Sequence, residues 1–252
     1  MEKIIRTAGM LAWQDIRQSY RRSAVGPFWL TIGMGVQILA MGFVFGQIFK
    51  ADIEDYITYL AVSIIIWGLI ASTINEGCMT FVSSEAMIKQ LNFPHVIYIL
   101  RTVLKNLYTA GHNAVLIPLM LILFMKAPGI SVFLLLPGLI ILVLNLGWVV
   151  LVLGMVSARF RDIPPIILSF TTIGFFVTPV MWSPDLLGDN ELAHLLLGLN
   201  PFYHWLQIVR LPILGEWPTL ENWGIASLIA GIGWGLALLV YRKFRTMIAY
   251  WV

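Results

Sequence analysis

The chain has one cysteine, Cys78, in 252 residues. No intrachain disulfide can form from it, and no cysteine-built zinc cluster can be assembled. Charged residues are scarce, at 12% against about 25% in soluble domains. No G-x-x-x-x-G-K-[ST] loop occurs, so ATP is not bound by a P-loop on this chain. The four histidines show neither H-E-x-x-H nor paired-ligand spacing, which argues against a zinc site. A G-x-S-x-G nucleophile elbow is also missing. The N-terminus lacks a long apolar run and a small-residue cleavage site, and carries Asp15, Arg17, Arg21 and Arg22 instead, so it does not read as a signal peptide. These absences exclude most soluble and metal-dependent chemistry.

What fills the chain is apolar. Hydrophobic residues make up 59%, against about 45–50% in soluble domains. They gather into six stretches, at 27–49, 57–75, 102–125, 130–157, 163–182 and 223–241. A helix rising 1.5 Å per residue needs roughly 20 residues to cross a 30 Å hydrocarbon core, and each stretch is near that length. The expected fold is an all-α membrane protein of six transmembrane helices, forming one domain over 1–252 with no separate soluble catalytic domain. Within it, 1–25 is an amphipathic segment, 27–182 holds helices 1–5, 183–222 is an outer segment, and 223–245 holds helix 6 and an inner end.

Charge placement sets the expected orientation. With the N-terminus inside and six crossings, 13 of the 16 Lys and Arg fall in inner segments. Lys50, Lys126 and Arg210 fall outside. By the positive-inside rule both termini are expected in the cytoplasm. The basic excess is then a topology signal, not a nucleic-acid site.

Four segments carry more than a generic bundle needs. Residues 1–22 alternate Ile4, Ile5, Met10, Leu11 and Trp13 with charges at helical spacing, which reads as an amphipathic helix on the inner membrane face or as a solvated leader. Gly26-Pro27 turns the chain into span 1, whose Gly33, Gly35, Gly42 and Gly46 suit tight packing or a dimer or pore interface. In the inner segment 77–101, Ser84 is placed to cap a short helix from Glu85, with Phe93-Pro94 stopping it. Outside, Leu192–Leu199 and Phe202–Leu214 are too short to cross and are split by Asn200-Pro201. They read as re-entrant helices dipping into the outer half of the membrane, or as a surface hairpin.

The middles of the spans hold almost no ionisable side chain; His112 is the deepest. A self-powered carrier needs midplane acids or broken helices for its coupling ion, and a channel needs charge rings or carbonyl filters. The residues describe a bundle without its own energy source. Aromatics are plentiful at 13%. Phe28 and Trp29 at the inner side, and Trp182, Phe202, Tyr203 and Trp205 at the outer, fit either an interfacial belt or a platform for the C–H faces of sugars.

The run DIRQSYRRSAVGPFW, Asp15 to Trp29, resembles the D-(L/I)-x-x-x-Y-x-x-S-x-L-G-x-x-W motif of polysaccharide-export ABC-2 permeases of the Wzm and KpsM type, with Val25 in place of the commoner Leu. Phe93-Pro94, Phe160-Arg161-Asp162-Ile163 and Asn200-Pro201 are similar to that family at matching positions, so the likeness spans the chain. The resemblance implies a homodimer in the bacterial inner membrane with a channel between the copies. Two copies of a separate cytoplasmic ABC ATPase would bind ATP and Mg, with no cofactor on this chain and no catalysis of its own. Lipid-linked polysaccharide (O-antigen, capsule or teichoic acid) would be the cargo. The Ser84–Phe93 segment would be the coupling helix, with Ser84, Glu85, Lys89, Phe93 and Pro94 at the ATPase. Arg17, Tyr20, Arg21 and Trp29 would gate lateral access, and Trp182, Phe202, Tyr203 and Trp205 would line the outer channel. An exporter of a small lipid or drug, or a membrane-embedded glycolipid-modifying enzyme, are the rival readings.

Overall fold

A computed structural model describes residues 2–19, 21, 26, 28–91, 93–126 and 129–252. Twelve α-helices and no strand occur among them. The helices are α1 (Glu2–Ser19), α2 (Phe28–Phe49), α3 (Ile53–Met79), α4 (Glu85–Gln90), α5 (Val96–Asn113), α6 (Leu116–Leu123), α7 (Leu135–Arg159), α8 (Ile163–Val177), α9 (Glu191–Gly198), α10 (Pro201–Ile213), α11 (Leu220–Phe244) and α12 (Ile248–Trp251). Pro27 lies outside the described residues, so its place at the start of span 1 is not part of this description.

Among the described residues five helical stretches are long and apolar enough to cross a membrane: Phe28–Phe49, Ile53–Met79, Val96–Leu123, Ile130–Arg159 and Leu220–Phe244. The stretch expected at 163–182 differs. Its helix is only 15 residues long, about 22 Å at 1.5 Å per residue. Pro164-Pro165 start it, where missing N–H groups cost nothing. Pro179 ends it, because the residue before a proline is driven out of the helical region, and Thr178 sits at ψ 138.

A second proline explains the break inside the third stretch. Pro118 has no N–H for the Ala114 carbonyl and crowds it. Ile117 N–H takes that carbonyl instead, at 3.0 Å, and the chain turns at 114–115 between α5 and α6. In α7, Pro137 lies in the first turn, where it is tolerated.

α3 is the central post, buried along nearly its whole length and packed on α2, α5, α7, α8 and α10. In lipid, apolar burial gives helices little drive to associate, so close approach and polar ties must hold them. Both are present. An added Cβ at Gly138 would collide with the Ile208 backbone carbonyl, so α7 and α10 touch main chain to main chain. Asn145 of α7 donates to the Ala226 carbonyl of α11 at 3.0 Å. α1 lies along α5, burying Ala8, Ala12 and Ile16 and setting Trp13 edge-on to Tyr108 at 6.0 Å. Ile5, Met10 and the rest of Trp13 stay open, each about half exposed.

The bundle thus has two ends of different makeup. One carries α4, the start of α5 and the ends of α7 and α11. The other carries the start of α3, the end of α8, and α9 and α10.

Candidate functional site: a charged α4 end and a dry α10 end

At the α4 end the expected short helix forms over Glu85–Gln90. Ser84 occupies its N-cap position, but its side chain makes no capping hydrogen bond and is buried. That corrects the capping role expected of it: a 3₁₀ turn over Val82–Ser84 feeds the helix directly, and the Glu85 N–H bonds the Val82 carbonyl. The helix stops at Leu91, which is extended and leads to Phe93 and Pro94. Leu91, Phe93 and Pro94 are exposed, while Met87 and Ile88 face inward. Glu85 and Lys89 pair with each other at 2.6 Å, one turn apart and each about half exposed. Lys89 holds the Glu85 carboxyl below its ordinary value by hydrogen bond and charge, with help from Arg161. The outward face of α4 is therefore an ion pair flanked by apolar side chains.

Above α4 lies a recess of about 540 Å³ walled by α1, α3, α5 and the 3₁₀ turn. Two ion pairs form its sides. Arg101 grips Asp15 with two bonds of 2.6 Å, each residue about one-fifth exposed. This two-pronged geometry fits a planar guanidinium to a carboxylate and pins α1 to α5. Lys105 reaches Glu76 at 2.9 Å, and Asn106 binds the other oxygen of Glu76 at 2.9 Å. Arg17 and Arg21 stand on the outer side of α1 with Gln14 and Gln18, around an open groove of about 420 Å³. Trp29 is well exposed at the start of α2. Tyr20 lies outside the described residues.

The α10 end is built differently. Asn200 caps α10 by accepting from the Phe202 N–H at 3.0 Å, and its amide also holds the Thr178 hydroxyl at 3.0 Å. The two short outer helices fall where the sequence places them, at Glu191–Gly198 and Pro201–Ile213. Phe202 and Trp205 are 7% and 2% exposed, packed edge-on to each other and, through Phe202, to Trp67. They are core residues of a single chain here, because the buried face of α10 carries them inward. Of the four outer aromatics only Trp182 and Tyr203 are partly open.

Arg210, counted from sequence as an outer-loop cation, is 1% exposed. Its guanidinium donates to the Tyr59 hydroxyl at 2.6 Å, the Ser63 hydroxyl at 3.1 Å, the Pro179 carbonyl at 2.6 Å and Gln207 Oε1 at 2.8 Å. No ion pair to a carboxylate forms here among the described residues. The Tyr59 hydroxyl, with one hydrogen to give, lies 2.9 Å from the non-helical carbonyl of Pro179 and 2.8 Å from that of Trp182, and Tyr56 donates to that of Met181 at 2.7 Å. Non-helical backbone at membrane depth is tolerated only when protein groups satisfy it. Sequence reasoning missed this cluster. The one available signal was an arginine in the middle of an apolar run, LQIVRLPIL.

Residues 7–214 match the family described as ABC-2 type transporter. The chain is 24% identical to a Myxococcus xanthus protein named O-antigen export system permease protein RfbA, over 195 residues, 76% of this chain and 74% of that protein. A Klebsiella pneumoniae protein of the same name is 20% identical over 199 residues, 75% of this chain and 77% of that one.

Proposed function

Because this chain belongs to the ABC-2 type transporter family, we propose that it is the membrane-spanning subunit of an exporter moving lipid-linked polysaccharide across the bacterial inner membrane. One observation carries the reading: relatives aligned over about three quarters of both lengths bear the name of O-antigen export permeases. The cargo is of the O-antigen, capsule or teichoic-acid type. Two copies of the chain enclose the passage, and two copies of a cytoplasmic ABC ATPase power it.

In this scheme both termini are cytoplasmic and α8 is part of a sixth crossing. Its 15 residues give about 22 Å, and the five residues Thr178–Trp182 add up to ~3.3 Å each, enough for a 30 Å core. α1 lies on the inner membrane surface, its half-exposed Ile5, Met10 and Trp13 in lipid, and gates lateral access together with Arg17, Arg21 and Trp29. The outward face of α4, with Glu85, Lys89, Phe93 and Pro94, seats in the ATPase. α9 and α10 cap the passage, with Trp182 and Tyr203 towards it.

The energetics follow from population shift. Closure of the ATPase favours one arrangement of the passage only by as much as its contacts with α4 differ between the two arrangements. Co-purification of an ABC ATPase, and its stimulation by the lipid-linked glycan, tests the reading. Glu85→Ala and Lys89→Ala are expected to lower glycan-stimulated hydrolysis while the permease stays folded. Full stimulation in both single variants and the double removes α4 from the coupling role. ATP hydrolysis by the purified chain alone sinks the whole scheme.

A further inference from the structure

Next to the charged recess is a second opening of about 430 Å³, between α2, α3 and α5. Its polar lining is Gln37 of α2, Ser72 of α3, and Asn106, Thr109 and Asn113 of α5, with Trp29 at its edge. None of its lining residues carries a formal charge at neutral pH. The charge stops one turn below, at Glu76 and Lys105, which Asn106 joins to the crevice through its bond to Glu76. Gln37 lies nine residues into a helix long and apolar enough to cross, about 14 Å along its axis.

Asn106 and Asn113 are built in, Gln37 is exposed, and the amides of Asn113 and Gln37 are incompletely used. Asn106 and Asn113 are 3% and 6% exposed. Asn113 Oδ1 accepts from the Thr31 hydroxyl at 3.2 Å, and its amide nitrogen has no partner among the described residues. Gln37 makes only a 3.6 Å contact to Met41 Sδ, leaving its carbonyl oxygen unbonded among the described residues. An amide left without a partner in an apolar medium is costly, so such groups inside a membrane protein mark a place that something polar occupies. Space is provided too: an added Cβ at Gly33 would meet no atom within 4 Å.

Uncharged amides and hydroxyls beside an indole plane are the chemistry that recognises a sugar ring. The amides and hydroxyls pair with its hydroxyls, and the indole takes its C–H face. A phosphate would call for cations in the lining, and an acyl chain has no use for five amide and hydroxyl side chains. We infer that this crevice is a saccharide subsite within a single protomer, holding a sugar of the lipid-linked glycan beside the α1 gate. The inference rests on the export reading above for its ligand, and on the crevice alone for its chemistry.

The test uses the full chain with Thr109→Cys in a Cys78→Ala background, solubilised in octaethylene glycol monododecyl ether. The rate of modification by a water-soluble thiol reagent is measured, then measured again with dodecyl β-maltoside, which has the same tail and a sugar head. The maltoside is expected to slow modification about tenfold, the scale of one or two neutral hydrogen bonds with their stacking partner. Gln37→Leu with Asn113→Leu is expected to abolish that protection and leave the rate in the ether unchanged. Should the double variant fail to fold, Gln37→Leu alone, at an exposed position, is expected to weaken protection severalfold. Equal rates in both detergents, protection by the ether as well, or protection that survives the leucine variants each overturn the subsite. A partner ATPase still stimulated by glycan while protection is absent overturns the subsite and leaves the export reading standing.

Discussion

At the α4 end Asp15, Glu76 and Glu85 each have a cation within reach, and each pair keeps some water. Asp15–Arg101 and Glu76–Lys105 line a recess of about 540 Å³, and Glu85–Lys89 lies on the exposed side of α4. At the α10 end one guanidinium, Arg210, is buried among neutral acceptors. Partly hydrated pairs separate at small cost, because water replaces each lost partner. A dry cluster cannot open without orphaning several groups at once. The difference teaches where polar ties part cheaply: the ion pair that pins α1 to α5 exchanges with water, whereas the α8–α10 junction is closed by a dry cluster.

The comparison breaks first at Arg210. Arg210→Ala is expected to destabilise by about 3 kcal/mol, since it leaves Gln207 unpaired, strips Pro179 of one donor and opens a cavity. Arg210→Lys recovers less than half of this, because one ammonium cannot reproduce a planar fork of donors. A thermal midpoint unchanged from the native protein would show the α10 end is not locked by this cluster. Gly138→Ala comes next. Its Cβ meets main chain, not a side chain that can swing aside, so an overpacking loss of about 1–3 kcal/mol is expected.

The half-buried pair at the other end is worth less. A double-mutant cycle on Asp15→Asn and Arg101→Gln is expected to give a coupling of about 1–2 kcal/mol, reduced by residual solvation. Either single variant should raise hydrogen exchange along α1 before any other helix; uniform exchange would mean that this pair does not hold α1. Smallest is Glu85–Lys89, where no change in unfolding is expected and only coupled hydrolysis should fall.

Acid sharpens the same contrast. Burial pushes His95 below its ordinary value, so the neutral ring that meets the Tyr241 hydroxyl at 3.1 Å is favoured in the fold. Its contribution is full above the unfolded value of about 6.5 and is lost as the pH falls through the lowered folded value. Glu85 is also lowered, but it is exposed and paired within its own helix, so its protonation adds no second step. The α4 end should therefore loosen in one step on acidification, as His95 takes up a proton, read by hydrogen exchange at the start of α5. A first step at the α10 end would contradict the assignment.

Much of this was legible beforehand, for identifiable reasons. Apolar run length marks helices in lipid, and five of the six runs are helices long enough to cross. Asn200-Pro201 marks a boundary because proline is tolerated at a helix start, and α10 begins there, whereas α4 ends at Gln90, ahead of the Phe93-Pro94 expected to stop it. Proline also removes a donor and constrains its predecessor; that rule applied to Pro179 would have shortened the 163–182 helix, and applied to Pro118 would have broken the third. Apolarity outweighed it in the reading of both. The gate, coupling and channel residues carried no such signal. Trp182, Phe202, Tyr203 and Trp205 are all aromatics near one turn, and nothing in their order tells which face of α10 is buried.

The sequence by itself determined that this chain is a helical membrane protein, where its short helices lie and which end is rich in charge. Those properties depend on local composition and on where backbone hydrogen bonds can close. Only the tertiary structure decided that Arg210 is a dry knot instead of a surface cation, that Asp15 and Arg101 tie α1 to α5, and that Gln37, Asn106 and Asn113 meet around one crevice. Those facts join residues from separate helices, and the distance between helices is set by packing, which no local pattern encodes.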